Sequence, residues 1–189
     1  MPHKFDPEQM DTLVSPARER DTDLYRIMSL IPISPHNVVA DVGCGPGFFT
    51  VPLGKAVFHG KVHALDVQQE MLDAAQERLK SVRLTNVEAT LSEENSVPLE
   101  DESMDGVFAA FMIHEVEDSK ALLTDFFRSL RPGGWLALLE WHKREMECGP
   151  PVEERIDEPD LRSIAIDAGF RLTTSRGIND KHYMLVMRK

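Results

Sequence analysis

The sequence has few cysteines, no long apolar run and no excess of positive charge, and each shortage excludes a class of protein. Its two cysteines, Cys44 and Cys148, are too few for a disulfide framework, and with the scattered histidines they match no zinc-site spacing. No apolar stretch approaches the roughly 20 residues of a transmembrane helix. The charged N-terminus lacks the apolar core of a signal peptide. We therefore expect a cytoplasmic protein without a membrane span or a metal site.

The charge balance is acidic, which bears on the choice of partner. Aspartate and glutamate number 32 against 21 lysines and arginines, which gives a formal net charge of −11 at pH 7. Nucleic acids and anionic membranes attract basic surfaces, so this composition disfavours both as partners. A length of 189 residues is ordinary for one domain with a substantial core.

The most informative segment runs from Val38 to Thr50 and reads VVADVGCGPGFFT. An apolar run ends in Asp41, and Gly43, Gly45 and Gly47 follow at alternate positions. This pattern predicts a buried strand, a tight turn and the N-terminus of a helix. Glycine removes the Cβ atoms that would hold a ligand away from the backbone, and a helix N-terminus offers free N–H groups. The turn is therefore a candidate ligand-binding site.

A second acid narrows the choice of ligand. Asp66 ends the next apolar run about 20 residues beyond the turn, where nucleotide-binding α/β units place a ribose-binding carboxylate. The glycine spacing is G-x-G-x-G and departs from the G-x-G-x-x-G of dinucleotide sites. Asp41 would repel a pyrophosphate but suits a ligand with an ammonium group. The segment therefore favours a ribose-containing ligand with an amino group, and an NAD-dependent enzyme is the less favoured alternative.

From Asn37 onward, strand and helix patterns alternate, which predicts an α/β fold with a parallel sheet. The short connection Gly177 to Asp180 predicts that the last two strands are antiparallel. Strands are expected at 37–42, 61–66, 86–91, 104–110, 134–141, 170–176 and 181–187. Helices are expected near 47–57, 69–82, 118–130 and 159–169.

Residues 1–36 are predicted to form an N-terminal helical segment before the domain at 37–189. Ser15 would cap a helix from Pro16 to about Ile31, which Pro32 and Pro35 would end. One face of this helix is apolar. Two interpretations follow: a lid that orders over the ligand cleft when the cofactor binds, or a fixed helix that flanks the sheet.

The glycine turn resembles the D-x-G-x-G-x-G motif of Rossmann-like S-adenosylmethionine-dependent methyltransferases, and further motifs of that family follow in order. The resemblance covers roughly Val38 to the C-terminus and is nearest to the small UbiE-like group. It implies a doubly wound, mostly parallel seven-stranded sheet with an antiparallel edge strand and helices on both faces. The later segments that resemble the family's motifs are Ser92 to Leu99, Met104 to Phe111, Phe111 to Asp118 and Leu130 to Trp141.

The resemblance implies S-adenosyl-L-methionine as the cofactor and assigns residues to it. The glycines give access to the backbone, Asp41 would contact the methionine end directly or through water, and Asp66 would accept hydrogen bonds from both ribose hydroxyls. Glu93 falls on the acidic position that faces the adenine amino group, and Glu94 replaces the small residue usual beside it. The predicted cofactor-binding residues are Asp41, Gly43, Gly45, Gly47, Asp66, Val67, Glu93, Glu94 and Phe111.

The candidate catalytic residues follow strands four and five, at the edge where open α/β sheets bind ligands. His114 would act as a base or orient a substrate, or would be a structural histidine bonded to a loop backbone. Glu140 is the second candidate, and beside it Trp141 would flank a substrate or pack in the core. A sulfonium is already an activated leaving group, so a general base is needed only for an acceptor that arrives protonated.

The resemblance therefore implies an enzyme, a methyltransferase that acts on a small-molecule acceptor. The alternative from another class is a non-catalytic S-adenosylmethionine-binding module that regulates a partner. Both would retain the cofactor motifs. Only the enzyme would release S-adenosylhomocysteine when given a substrate.

Overall fold

The computed structural model describes residues 7–189 and contains a seven-stranded sheet. The strands are Val38–Val42 (β1), Lys61–Asp66 (β2), Val87–Leu91 (β3), Met104–Ala110 (β4), Leu130–Trp141 (β5), Arg171–Gly177 (β6) and His182–Arg188 (β7). Their order across the sheet is β3-β2-β1-β4-β5-β7-β6. The first five strands pair in parallel, whereas β7 pairs antiparallel with both β5 and β6.

This topology confirms the predicted doubly wound, mostly parallel fold. The antiparallel strand β7 lies one position inside the sheet, and β6 forms the edge. Because the carboxyl ends of parallel strands meet at one edge, the loops that follow β1, β2, β4 and β5 converge there.

The helices occupy most of the predicted positions. They are Pro16–Asp21 (α1), Leu24–Leu30 (α2), Thr50–Ala56 (α3), Gln69–Ser81 (α4), Ser119–Ser129 (α5) and Glu158–Asp167 (α6). Across residues 7–189, no helix combines the length and apolar character needed to cross a bilayer. The helix predicted near 47–57 begins later, at Thr50, because the backbone of Gly47 has a φ of 84°, outside the right-handed helical range.

The prediction of one helix from Pro16 to about Ile31 is wrong, because α1 and α2 are separate. Ser15 does cap α1, since its hydroxyl accepts a hydrogen bond from the Arg18 N–H at 3.2 Å. Asp23 then caps α2 by accepting from the Arg26 N–H at 3.1 Å. An aspartate that satisfies a free N–H starts a new helix at that point. Residues 1–6 of the predicted N-terminal segment lie outside the described residues.

Apolar side chains pack on both faces of the sheet. On one face, Phe126 of α5 and Leu161 of α6 are fully buried against β4, β5 and β7. On the other face, Ile27 of α2 and Leu53 of α3 are fully buried. Burial of each such side chain contributes about 1.5–3 kcal/mol relative to exposure. The strand ends are therefore held by a core on both sides, and α2 is part of that core.

Candidate functional site

A cavity of about 520 Å³ opens at the carboxyl edge of the parallel strands. This volume lies within the range of about 300–1,000 Å³ found for small-molecule sites. Residues at or just beyond the carboxyl ends of five strands line it, together with residues from the N-terminal segment and from the loop before α6. The lining at these strand ends includes Gly43, Gly45, Asp66, Val67, Glu93, Glu94, Phe111, Met112, His114 and Trp141.

The glycine turn forms one wall of the cavity. Gly43 and Gly45 have φ values of 67° and 51°, which side-chain-bearing residues rarely adopt. A Cβ atom at Gly43 would lie 2.7 Å from Cγ of Met112, so a side chain there would displace that methionine. Gly47 differs, because it packs against Ala75 of α4 and does not line the cavity. Of the three predicted glycines, two therefore face the ligand space and one positions a helix.

Asp66 lines the cavity and also holds the glycine turn. Its side chain accepts hydrogen bonds from the N–H of Gly45 at 2.8 Å and from the N–H of Gln68 at 3.0 Å. A carboxylate oxygen accepts more than one hydrogen bond, so these bonds are compatible with ligand hydroxyls as further donors. The backbone role was not foreseen from the sequence, and the ribose-binding role stays a prediction.

Asp41 lies behind the turn and outside the cavity lining. It is buried, and it accepts a hydrogen bond from the Thr50 hydroxyl at 2.6 Å. Burial, reinforced by the negative charge of Asp66, raises the pKa of Asp41 to about 7 despite the bond from Thr50. Asp41 therefore links β1 to α3. Its predicted contact with the methionine end of a cofactor stays a prediction.

The remaining predicted cofactor residues all line the cavity. Val67 gives it an apolar surface next to Asp66, whereas Glu93 is exposed and accepts a hydrogen bond from the Ser96 hydroxyl at 3.2 Å. Glu94 lies beside Glu93 in the same loop. Phe111 has a φ of 58°, an outlier for a bulky residue and a feature that clusters at functional sites.

His114 and Glu140 form a hydrogen-bonded pair, of which only His114 belongs to the cavity lining. Nδ1 of His114 lies 2.8 Å from Oε2 of Glu140, whose other oxygen accepts from the Ile113 N–H at 2.9 Å. Both side chains are almost completely buried, with 5% and 1% of their areas exposed. His114 lines the cavity, and its Nε2 lies 3.8 Å from Oε1 of Glu115.

The electrostatics of this pair favour a charged imidazole. Burial acts to lower the pKa of His114, but the charge and hydrogen bond of Glu140, with smaller effects of Glu115 and Glu154, raise it above its usual value. A carboxylate at Nδ1 fixes the tautomer in which Nδ1 carries a proton. When neutral, His114 therefore has a lone pair on Nε2 with which to accept a proton.

Two other segments complete the cavity. Leu13 and Arg18 reach it from the N-terminal segment, for which a lid over the cleft is one of the two predicted interpretations. Residues 149–151 with Glu154 reach it from the loop before α6, which carries no periodic pattern or motif that would have identified it. Across residues 7–189, no cluster of three metal-ligating side chains is present.

Arg155 holds the loop before α6 in place. It is buried, and its guanidinium donates hydrogen bonds to four backbone carbonyls at 2.7–3.3 Å. Those carbonyls belong to His142, Arg144, Cys148 and Pro150. The loop is therefore an ordered wall of the cavity.

The chain is similar to known proteins both in sequence and in fold. A family model described as "Methyltransferase domain" matches residues 40–138. The solved structure of a SAM-dependent methyltransferase from Aquifex aeolicus is 35% identical, with a TM-score of 0.93 over 98% of this chain and 99% of that chain. This match extends over the N-terminal segment and the loop before α6.

Curated relatives match over a shorter length. A demethylmenaquinone methyltransferase from Staphylococcus haemolyticus is 36% identical over 101 residues, which are 53% of this chain and 41% of that protein. The biotin biosynthesis bifunctional protein BioHC from Teredinibacter turnerae is 33% identical over 104 residues, 52% of this chain and 18% of that protein. The chain spans less than half the length of these curated relatives.

Proposed function

The chain belongs to the methyltransferase domain family, and from this premise we propose that it transfers a methyl group from S-adenosyl-L-methionine to a small-molecule acceptor. One observation carries the proposal: a single cavity is lined by the glycine turn, by Asp66 and by His114, whose ring is bonded to Glu140. Binding and proton transfer would therefore occur in the same enclosed space.

The residues present fit the cofactor. Gly43 and Gly45 leave the backbone open to a ligand, and Asp66 offers a carboxylate to a vicinal diol. When bound, S-adenosyl-L-methionine supplies an activated methyl group on a sulfonium. Val67, Phe111 and Met112 give the cavity apolar surfaces that exclude water.

His114 is the proposed proton acceptor. Its Nε2 would take the proton of an acceptor hydroxyl, while Glu140 holds the Nδ1–H and stabilises the resulting imidazolium. The protein otherwise needs only to orient the acceptor in line with the methyl group. This role predicts that Glu140 acts through His114 and does not itself contact substrate.

We place the acceptor among planar hydroxylated rings, such as quinols and phenols. Support comes from the aromatic wall of Phe111 and Trp141, whose ring centroids are 5.3 Å apart, next to His114. The Staphylococcus haemolyticus relative, a demethylmenaquinone methyltransferase, also supports an acceptor of this kind. The net charge of −11 supports a small-molecule partner over a nucleic acid and is compatible with a cytoplasmic location.

The N-terminal lid belongs to the same proposal, in a narrower form. Leu13 and Arg18 cover the cavity, whereas α2 is anchored because Ile27 is fully buried. Lys181 also holds Asp21 at 2.7 Å, at the end of α1. The proposed mobile part is therefore residues 7–20.

An acceptor screen tests the function. The purified protein is incubated with S-adenosylmethionine and a panel of quinols, phenols, amines and thiols, and release of S-adenosylhomocysteine is measured against a control without acceptor. We expect release that depends on a quinol or phenol. Binding of S-adenosylhomocysteine without turnover on any acceptor would instead favour the regulatory module.

A further inference from the structure

Arg18 stands out among the charged residues of the cavity. Within the described part of the chain it is the only arginine or lysine in the cavity lining. It projects from α1 over the cavity, where its guanidinium carbon lies 5.3 Å from the ring centre of Phe48 and 5.1 Å from that of Phe111. Aromatic faces attract a cation but offer no hydrogen-bond acceptor.

The guanidinium of Arg18 makes no hydrogen bond or ion pair with any residue from 10 to 189, the range whose side chains the structure describes. Its Nε is fully shielded from solvent and makes no hydrogen bond. None of the ion pairs between the described side chains involves it. Burial lowers the pKa of Arg18 to about 10, as expected for a cation without a counter-ion.

Arg155 shows how this fold treats a buried arginine that has a structural role. Its guanidinium is satisfied by four backbone carbonyls. A desolvated charge without such partners is destabilising unless another group pairs with it. Arg18 is therefore a half-buried donor that faces the cavity and lacks an acceptor among residues 10–189.

We propose that Arg18 is the carboxylate-recognition residue of this cavity and that its N–H groups pair with a carboxylate of a bound ligand. A planar carboxylate matches the fork of a guanidinium in a bidentate pair. A phosphate is disfavoured, because Asp66, Glu93, Glu94, Glu115 and Glu154 line the same cavity and would repel a doubly charged group.

The inference rests on the proposed function, which offers two sources of a carboxylate. One is the amino-acid end of the cofactor, and the other is an acidic substituent on the acceptor. Because Arg18 lies on α1, either pairing would connect ligand binding to the position of the N-terminal segment.

The first experiment compares two nucleosides by isothermal titration. S-adenosylhomocysteine and 5′-methylthioadenosine share the adenosine and the sulfur, but only the former has a carboxylate. If the cofactor is the source, Arg18→Gln should weaken S-adenosylhomocysteine about tenfold or more and change 5′-methylthioadenosine less than about twofold. Arg18→Lys should recover part of the loss. Arg20→Gln, an exposed change on the same helix, is the matched control and should change neither affinity.

The second experiment addresses the acceptor as the source. Protein saturated with S-adenosylhomocysteine is titrated with 4-hydroxybenzoate and, separately, with phenol. If the acceptor supplies the carboxylate, Arg18→Gln should weaken 4-hydroxybenzoate about tenfold and leave phenol unchanged.

Either selective loss supports the proposal. Equal affinities in the wild type and Arg18→Gln for all four probes would overturn it. Losses that are equal within each of the two pairs would also overturn it, because Arg18 would then only shape the cavity. If the wild type binds neither nucleoside, the proposed function fails instead. In that case, titrations of the cofactor-free protein with 4-hydroxybenzoate and phenol still test whether Arg18 binds a carboxylate.

Discussion

The parts of the cavity lining proposed for the cofactor and for the acceptor, the cofactor end and the acceptor end, are built differently. At the cofactor end, the backbone of the glycine turn forms the surface, and Asp66 fixes that backbone through the Gly45 N–H. At the acceptor end, side chains form the surface, and they come from segments far apart in the chain: His114, Trp141 and Glu154. We therefore expect ligand binding at the cofactor end to depend on the backbone conformation of the turn, and chemistry and selectivity at the acceptor end to depend on individual side chains.

Glu140→Gln should have the largest effect, a loss of turnover that arises at the acceptor end and leaves cofactor binding intact. The change keeps the shape of the side chain but removes the negative charge that orients and stabilises His114. We expect acceptor-dependent release of S-adenosylhomocysteine to fall by about 10²–10⁴-fold, the range for loss of acid–base catalysis. Affinity for S-adenosylhomocysteine should stay within about twofold of the wild type, since removing a proton-transfer partner leaves the cofactor contacts in place.

Glu145→Gln removes an acid from the neighbouring loop and is the matched control. It should leave the rate unchanged. If Glu140→Gln weakens cofactor binding as strongly as it slows turnover, the two ends are not separable in the way described.

Asp66→Asn should produce the next largest effect, at the cofactor end. A hydrogen bond to a charged group contributes about 1.5–3 kcal/mol, so losing the charge should weaken S-adenosylhomocysteine at least about tenfold in a titration. Asp73→Asn, an exposed change on α4, controls for the lost charge. Unchanged affinity in Asp66→Asn would contradict the assigned role.

The pH dependence of turnover should report the His114–Glu140 pair. The base must be neutral to accept a proton, so the rate should rise with pH through the raised pKa of His114. In Glu140→Gln the midpoint of the rate profile should move to lower pH. A midpoint that is the same in both proteins would exclude His114 as the titrating group.

The contribution of His114 to folding stability should change with pH in the direction opposite to the rate. Because the folded pKa of His114 is raised, its contribution to stability is fully present below the unfolded pKa and is lost as pH rises through the folded pKa. Urea unfolding of the wild type and Glu140→Gln, measured at pH values between the unfolded and the folded pKa of His114, gives the difference in their free energies of unfolding.

The smallest effect is expected at the N-terminal segment, which contributes Leu13 and Arg18 to the cavity lining. Binding of S-adenosylhomocysteine should slow hydrogen exchange of amides in α1, because Arg18 of α1 lines the cavity, and leave α2 unchanged because Ile27 is already buried. Equal protection of α1 in the free and bound protein would make the whole segment a fixed flank.

The same contrast explains which features the sequence could predict. The strand positions and the glycine turn depend on neighbouring residues, so local pattern was sufficient for them. His114 meets Glu140 because β4 lies beside β5. From the sequence, both residues could be placed at one edge of the sheet, but the bond between them could not be predicted. Arg18 lies on a short helix that ends at Asp21, and Asp23 caps a second helix; the apolar periodicity that predicts one helix does not reveal this break.

The loop before α6 was unpredictable for a related reason. Its shape depends on the guanidinium of Arg155 reaching carbonyls of residues 142–150, and no spacing or composition marks such a bond. A buried arginine in a charged segment is indistinguishable in sequence from the exposed ones around it.

Titration calorimetry of the wild-type protein with S-adenosylhomocysteine and, separately, with NAD tests the central claim most directly. Each ligand is added to the same preparation under the same conditions. The glycine turn with Asp66 predicts saturable binding of S-adenosylhomocysteine at one site and no response to NAD. Saturation by NAD with no response to S-adenosylhomocysteine would contradict the account.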